Sequence, residues 1–160
     1  MSSDHRPGGS IVVGLDDSAG ARAALQFALD AGAARGILVH VVTTFVVDMT
    51  VRDRITPDLI AEEARDVRRH QDRMIAEALA GMPVQPVVSQ AVLHDVGGEP
   101  LLQAAQDAVM LVVGSGRRRP LDEMPLASVS EYCVRHARVP VVVVPDPSRL
   151  VDRPAAVAAR

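Results

Sequence analysis

Three short runs of this chain, Ile11–Leu15, Met110–Val113 and Val141–Val144, are apolar almost without a break and rich in valine. A strand with one wet face alternates apolar and polar positions, whereas a strand buried on both faces does not. Such runs call for a parallel sheet covered on both sides by helices, and this demand constrains the fold more than any other feature. The intervening segments supply the helices. Ala19 to Arg35 places Ala24, Leu25, Ala28, Leu29 and Gly32 at helical spacing, with Gly36 as a C-terminal stop. After a polar connection from Asp48 to Pro57, Leu59 to Ala80 reads as a long charged helix ended by Gly81. Its apolar stripe includes Leu59, Ala64, Val67, Met74, Ile75 and Ala78. Leu101 to Asp107 is a short helix entered through Gly98-Glu99-Pro100, with proline at its first position. A fourth helix runs from about Leu126 to Ala137, and two further strands cover Ile37–Val47 and Val84–Leu93. The resulting β-α-β-α-β-α-β-α-β order, with right-handed crossovers, leaves few topologies.

Composition narrows the function classes. At 160 residues the chain fits one domain, here residues 10–146 between a flexible leader (1–9) and a flexible tail (147–160). Aromatics are only 2% with no tryptophan, which argues against platforms that stack single-stranded nucleic acid. A net charge of −3 gives no general attraction to nucleic acid or an anionic membrane. No apolar run approaches the roughly 18 to 20 residues that span a bilayer, and the N-terminus lacks a signal pattern, so the expected location is cytoplasmic. The single cysteine, Cys133, rules out an internal disulfide and reads as a small buried residue.

Chemistry concentrates in two loops. Val13-Gly14-Leu15-Asp16-Asp17-Ser18 follows the first strand, and Gly114-Ser115-Gly116-Arg117 follows the fourth and leads to Ser128-Val129-Ser130 at a helix start. A glycine-bearing loop that runs into a serine-capped helix can present backbone N–H groups and the helix dipole to a phosphate. Each residue also has a plainer use. Asp16, Asp17 and Ser18 suit a helix cap, and Ser128 and Ser130 can cap and start the last helix. The run Arg117-Arg118-Arg119 can hold an anion or lie solvated beside Asp122 and Glu123. His40 reads as a satisfied core histidine, and His94 as a surface-loop residue without a nucleophile or metal-ligand partner at a known spacing. The charged stretch EEARDVRRHQDR reads as an exposed helix face with i,i+4 pairing.

Together VVGLDDSAGARAALQFA, HDVGGEPLLQAAQDAVMLVVGS and VVGSGRRRPLDEMPLASVSEYCVRHARVPVVVVP resemble the universal stress protein family over roughly Gly9 to Asp146. The resemblance implies an α/β fold with a five-stranded parallel sheet of order 3-2-1-4-5 and helices on both faces. It also implies an adenine-nucleotide crevice, for ATP or a related nucleotide with accompanying magnesium, and a regulatory rather than enzymatic role. On this pattern Gly14 and Asp16 lie against the nucleotide, with Asp16 accepting from a ribose, and the backbone of Val41 meets adenine. ATP-binding members carry G-x2-G-x9-G-[ST] in the last loop. Gly114 and Ser128 match that pattern, and Ser130 supplies the second hydroxyl, but Arg117 and Ala127 replace its second and third glycines. Arg117 either fills the phosphate space or grips a phosphate bidentately, and Ala127 adds a methyl where backbone would approach it. The rival reading is a family member without nucleotide, acting through homodimerisation and protein contacts. An ATP-pyrophosphatase-like enzyme would need a more glycine-rich first loop. The resemblance, and an apolar last strand at a sheet edge, both imply a homodimer through Val141–Val144, with a further protein partner unspecified.

Overall fold

The computed structural model describes residues 9–47, 55–115 and 128–149. The leader up to residue 8, Gly116, Arg117, Ala127 and the tail from residue 150 lie outside the described residues. The elements in chain order are β1 (Ile11–Gly14), α1 (Ala19–Arg35), β2 (Val39–Phe45), α2 (Pro57–Ala80) and β3 (Val88–His94). They continue as α3 (Glu99–Ala104), β4 (Met110–Gly114), α4 (Val129–His136) and β5 (Val141–Val144). All five strands are parallel, in the order β3-β2-β1-β4-β5.

The two apolar faces of the sheet make two cores. On one face Ile11, Val13, Val39, Val41 and Val112 pack beneath Ala24, Leu25, Ala28 and Leu29 of α1 and Met74 and Ile75 of α2. On the other, Val12, Val42, Leu111 and Val113 meet Leu101 of α3 and Cys133 of α4. Consecutive residues of β1 and β4 thus point into opposite cores, which is why these strands carry no polar alternation.

Helix ends follow local chemistry. Ser18 accepts the Ala21 N–H at 3.1 Å, and Gly36 closes α1 in the left-handed region at φ 63°. Thr56 accepts the Leu59 N–H at 3.2 Å, so α2 begins at Pro57, two residues before the expected start. Its apolar stripe needs correction: only Gln71, Met74 and Ile75 are buried, and Leu59, Ala64, Val67 and Ala78 are half-buried. At 24 residues α2 is about 36 Å long, whereas the seven-residue β3 spans only about 23 Å, so the helix outruns the sheet it covers. The second strand is shorter than expected at both ends. The third begins at Val88 rather than Val84, leaving Pro86 outside the ladder. The third helix starts at Glu99 and stops at Ala104. Ser128 caps α4, so that helix starts at Val129 rather than Leu126.

Candidate functional site

Strand order reverses at β1, whose neighbours are β2 on one side and β4 on the other. In an open α/β sheet the crevice outside the carboxyl ends of the strands at such a point is the usual ligand site. The loops after β1 and β4 both open there. A separate groove of about 620 Å³, lined by Gln26, Asp30, Glu77, Met82 and Val84, lies toward the C-terminal ends of α1 and α2, at the opposite end of the sheet.

In the first loop Asp16 is exposed, and its Oδ1 accepts the Ser18 N–H at 2.8 Å. Its second carboxylate oxygen makes no hydrogen bond among the described residues and can accept from a hydroxyl. Ser18 is occupied as the α1 cap. Asp17 pairs with Nε2 of His70, which brings α2 onto this loop. At Gly14 a Cβ would sit 2.9 Å from Leu101 Cδ1, so the absent side chain here makes room for α3.

The second loop is tied to the scaffold. Ser115 donates its N–H to the Val144 carbonyl at 2.7 Å, and its Oγ accepts the Asp146 N–H at 2.9 Å. A Cβ on Gly114 would lie 2.3 Å from the Gly20 carbonyl carbon and 2.4 Å from the Ala21 nitrogen. A Cβ on Gly20 would in turn lie 2.8 Å from the Ser115 carbonyl oxygen. These two glycines interlock, letting the first turn of α1 rest on the end of β4. Ser128 Oγ accepts the Glu131 N–H at 3.2 Å and lies 3.0 Å from Ser130 Oγ, while Val129, the first residue of α4, is exposed.

Val41 is fully buried, level with Val13 of β1 and Gln90 of β3. Its carbonyl is already engaged, for Gln71 of α2 donates from Nε2 to Val41 O at 3.3 Å. The same nitrogen reaches Thr43 Oγ1 at 3.0 Å and Ala91 O at 3.1 Å. Gln71 is 1% exposed and was not legible in the sequence, because it sits inside the charged stretch that reads as a solvated face. The remaining surface of that stretch does carry pairs, Arg68 with Asp72 at 3.6 Å and Arg69 with Asp66.

The other singled-out groups belong to the scaffold. His40 shares a hydrogen bond with Ser89 Oγ at 2.8 Å, and burial lowers its pKa. His94 is the exposed last residue of β3, its ring 5.2 Å from that of Phe45. Cys133 is fully buried, and desolvation pushes its thiol up to about 11. No cluster of three or more His, Cys, Asp or Glu suited to a metal ion occurs among the described residues. Asp16 therefore offers an exposed carboxylate in the loop after β1, while the Val41 carbonyl is met by a side chain of the protein itself.

The fold is that of an α/β protein with a five-stranded parallel sheet whose strand order reverses at β1. The sequence profile of the universal stress protein family matches residues 9–145, and the chain belongs to that family. It is 34% identical over 143 residues to Universal stress protein Rv2005c of Mycobacterium tuberculosis, covering 87% of this chain and 45% of that one. It is 31% identical over 140 residues to Rv1996 of the same organism, covering 86% and 44%. The chain thus spans about half the length of these curated relatives. Among solved structures, a universal stress protein family member from Burkholderia pseudomallei shares 26% identity at TM-score 0.61, over 88% of this chain and 98% of its own. A universal stress protein in complex with cAMP superposes at TM-score 0.62 with 20% identity, over 85% and 96%. The Archaeoglobus fulgidus protein in complex with dAMP does so at 0.56 with 22% identity, over 84% and 96%. These last two likenesses speak for the fold. Among the described residues no helix is long and apolar enough to cross a membrane.

Proposed function

We propose that this chain is a cytoplasmic, non-enzymatic regulatory module that binds an adenine nucleotide at the β1/β4 switch point. Asp16 accepts from the ribose, and the backbone at Val41 meets the base. Gly114, Ser115 and the Ser128-Val129-Ser130 start of α4 border the phosphates, joined there by Gly116 and Arg117. Binding shifts affinity for a protein partner, and magnesium accompanies the phosphates. The observation that carries the reading is the pairing of an exposed carboxylate, Asp16, with a serine-capped helix start at one reversal of strand order. The cAMP and dAMP complexes of similar folds lend it support.

Calorimetric titration with ATP, ADP, AMP and cyclic AMP tests it directly. Saturable heat for at least one of them is expected, reduced by Asp16→Ala. A flat response up to about 1 mM ligand removes the nucleotide clause.

A second reading, a member acting through dimerisation and protein contacts alone, is favoured by two sequence facts and one contact. Arg117 and Ala127 stand where the ATP-binding pattern has glycine, and the Val41 carbonyl is taken by Gln71. Under that reading, Arg117→Gly combined with Ala127→Gly creates a nucleotide affinity that the natural chain lacks.

A further inference from the structure

The groove at the end of the sheet opposite the switch point has no part in the nucleotide reading. Its volume of about 620 Å³ falls in the range of ligand-sized clefts. Its walls are the last turn of α1, through Ala33 and Ala34, and the end of α2, through Ala78 and the closing Gly81. Helix carboxyl ends carry partial negative charge, and α2 has no basic residue in its last turn to offset it. The basic residue that ends α1, Arg35, turns back onto the Ala31 carbonyl at 3.4 Å. Two carboxylates add charge of the same sign. Asp30 is exposed and accepts from the neutral Gln26 amide at 3.0 Å, and Glu77 meets Arg22 at 3.9 Å, a long contact between exposed side chains. Among the described residues no third carboxylate, imidazole or thiol joins them to make a metal site. Beside these charges lies apolar surface. After α2 the chain passes through Met82, Pro83 and Val84 without joining the sheet, which takes up β3 only at Val88. Val84 is thereby left 64% exposed at the groove.

We propose that this groove docks a short segment of a partner protein in which arginine or lysine stands beside aliphatic side chains. The cations meet Asp30, Glu77 and the carboxyl end of α2, and the aliphatic groups cover Val84 and Met82. Charge alone would not hold the segment, because exposed ion pairs are weak and screened by salt. A neutral apolar segment would set the two carboxylates against groups that cannot pair with them. A small polyamine would satisfy the charge and leave the valine bare. The two demands together select an amphipathic basic segment. The groove stands apart from the β1/β4 crevice, so the inference is independent of nucleotide binding.

A phage-displayed library of short random peptides, selected on the immobilised full chain, tests this. The recovered peptides are expected to be enriched in arginine or lysine next to leucine, isoleucine or valine, and a synthetic copy of the strongest should bind saturably. Asp30→Asn combined with Glu77→Gln should weaken that peptide at least about tenfold, and Val84→Ser at least about threefold. All three side chains are exposed, and circular dichroism with a thermal melt establishes that each variant is folded. Failure to recover peptides of that composition overturns the proposal. So does equal affinity for the natural chain and the carboxylate variant, since the peptide then sits elsewhere. Undiminished affinity in Val84→Ser, or full displacement of the peptide by spermidine at comparable concentration, overturns the apolar half and with it the choice of a protein segment. A flat ATP titration leaves each of these outcomes as informative as before.

Discussion

At the scale of single residues, Gly114 has a structural duty that the loop motif does not reveal. A glycine after an apolar strand is what a phosphate cradle wants, and also what a helix needs to lie directly on strand backbone. Here the second need is explicit, because the neighbouring atoms are backbone of Gly20 and Ala21, which cannot rotate away. Gly114→Ala must push the first turn of α1 off β4 and is expected to cost at least about 1–3 kcal/mol, read from urea denaturation. Gly20→Ala should cost less, since its nearest contact is longer, 2.8 Å to the Ser115 carbonyl oxygen, with the Ser115 nitrogen next at 3.3 Å. The double variant should fall short of the sum, because one displacement of the helix relieves both clashes. Strict additivity would show that the glycines do not interlock. Cys133 makes a second residue-scale case. Its thiol ionises at about 11 in the fold against 9.0 ordinarily, because burial penalises the thiolate. The unfolded chain therefore releases this proton first as pH rises, and the Cys133 contribution to stability declines between pH 9 and about 11. Cys133→Ala should flatten that part of the stability profile, and an unchanged slope would refute the burial account.

At the scale of elements, α4 separates capping from ligand binding. Ser128 holds the Glu131 N–H, so Ser128→Ala should cost about 1 kcal/mol of stability whatever the protein binds. If the hydroxyl also borders phosphate, nucleotide affinity falls as well, and Ser128→Asp separates the roles by keeping the cap while opposing the anion. Retained affinity in both variants would confine Ser128 to capping. This overlap explains how far the site could be read in advance. The positions of the strands were legible because two-sided burial forces valine runs, and Gly36 was legible because the αL stop requires it. Asp16 and Ser128 stood out as types, yet one geometry serves both cap and ligand, so type alone left their duties open. Gln71 was not legible at all. Its neighbours Arg68, Arg69, His70, Asp72 and Arg73 advertise solvent, and only the crossing of α2 over β2 and β3 buries this one side chain. The overreach of α2 likewise left Leu59, Ala64 and Val67 half-buried although their spacing promised a core stripe.

At the scale of the whole molecule, the sheet ends in two unlike edges. β3 carries Ser89, Gln90 and His94, polar groups that discourage pairing with another chain. β5 is four valines with Val143 40% exposed, an edge that natural proteins cover rather than leave bare. For the present chain we propose that a second copy covers β5 across a two-fold axis. An isologous contact repeats each substitution on both sides, so a single change acts twice. Val143→Lys places two ammonium groups against each other in an apolar seam, and desolvating a charge there is costly. Sedimentation equilibrium should show the natural chain as a dimer at micromolar concentration and the variant as a folded monomer, its melting temperature independent of concentration. A natural chain that sediments as a monomer in that range would overturn the edge argument, however apolar the strand.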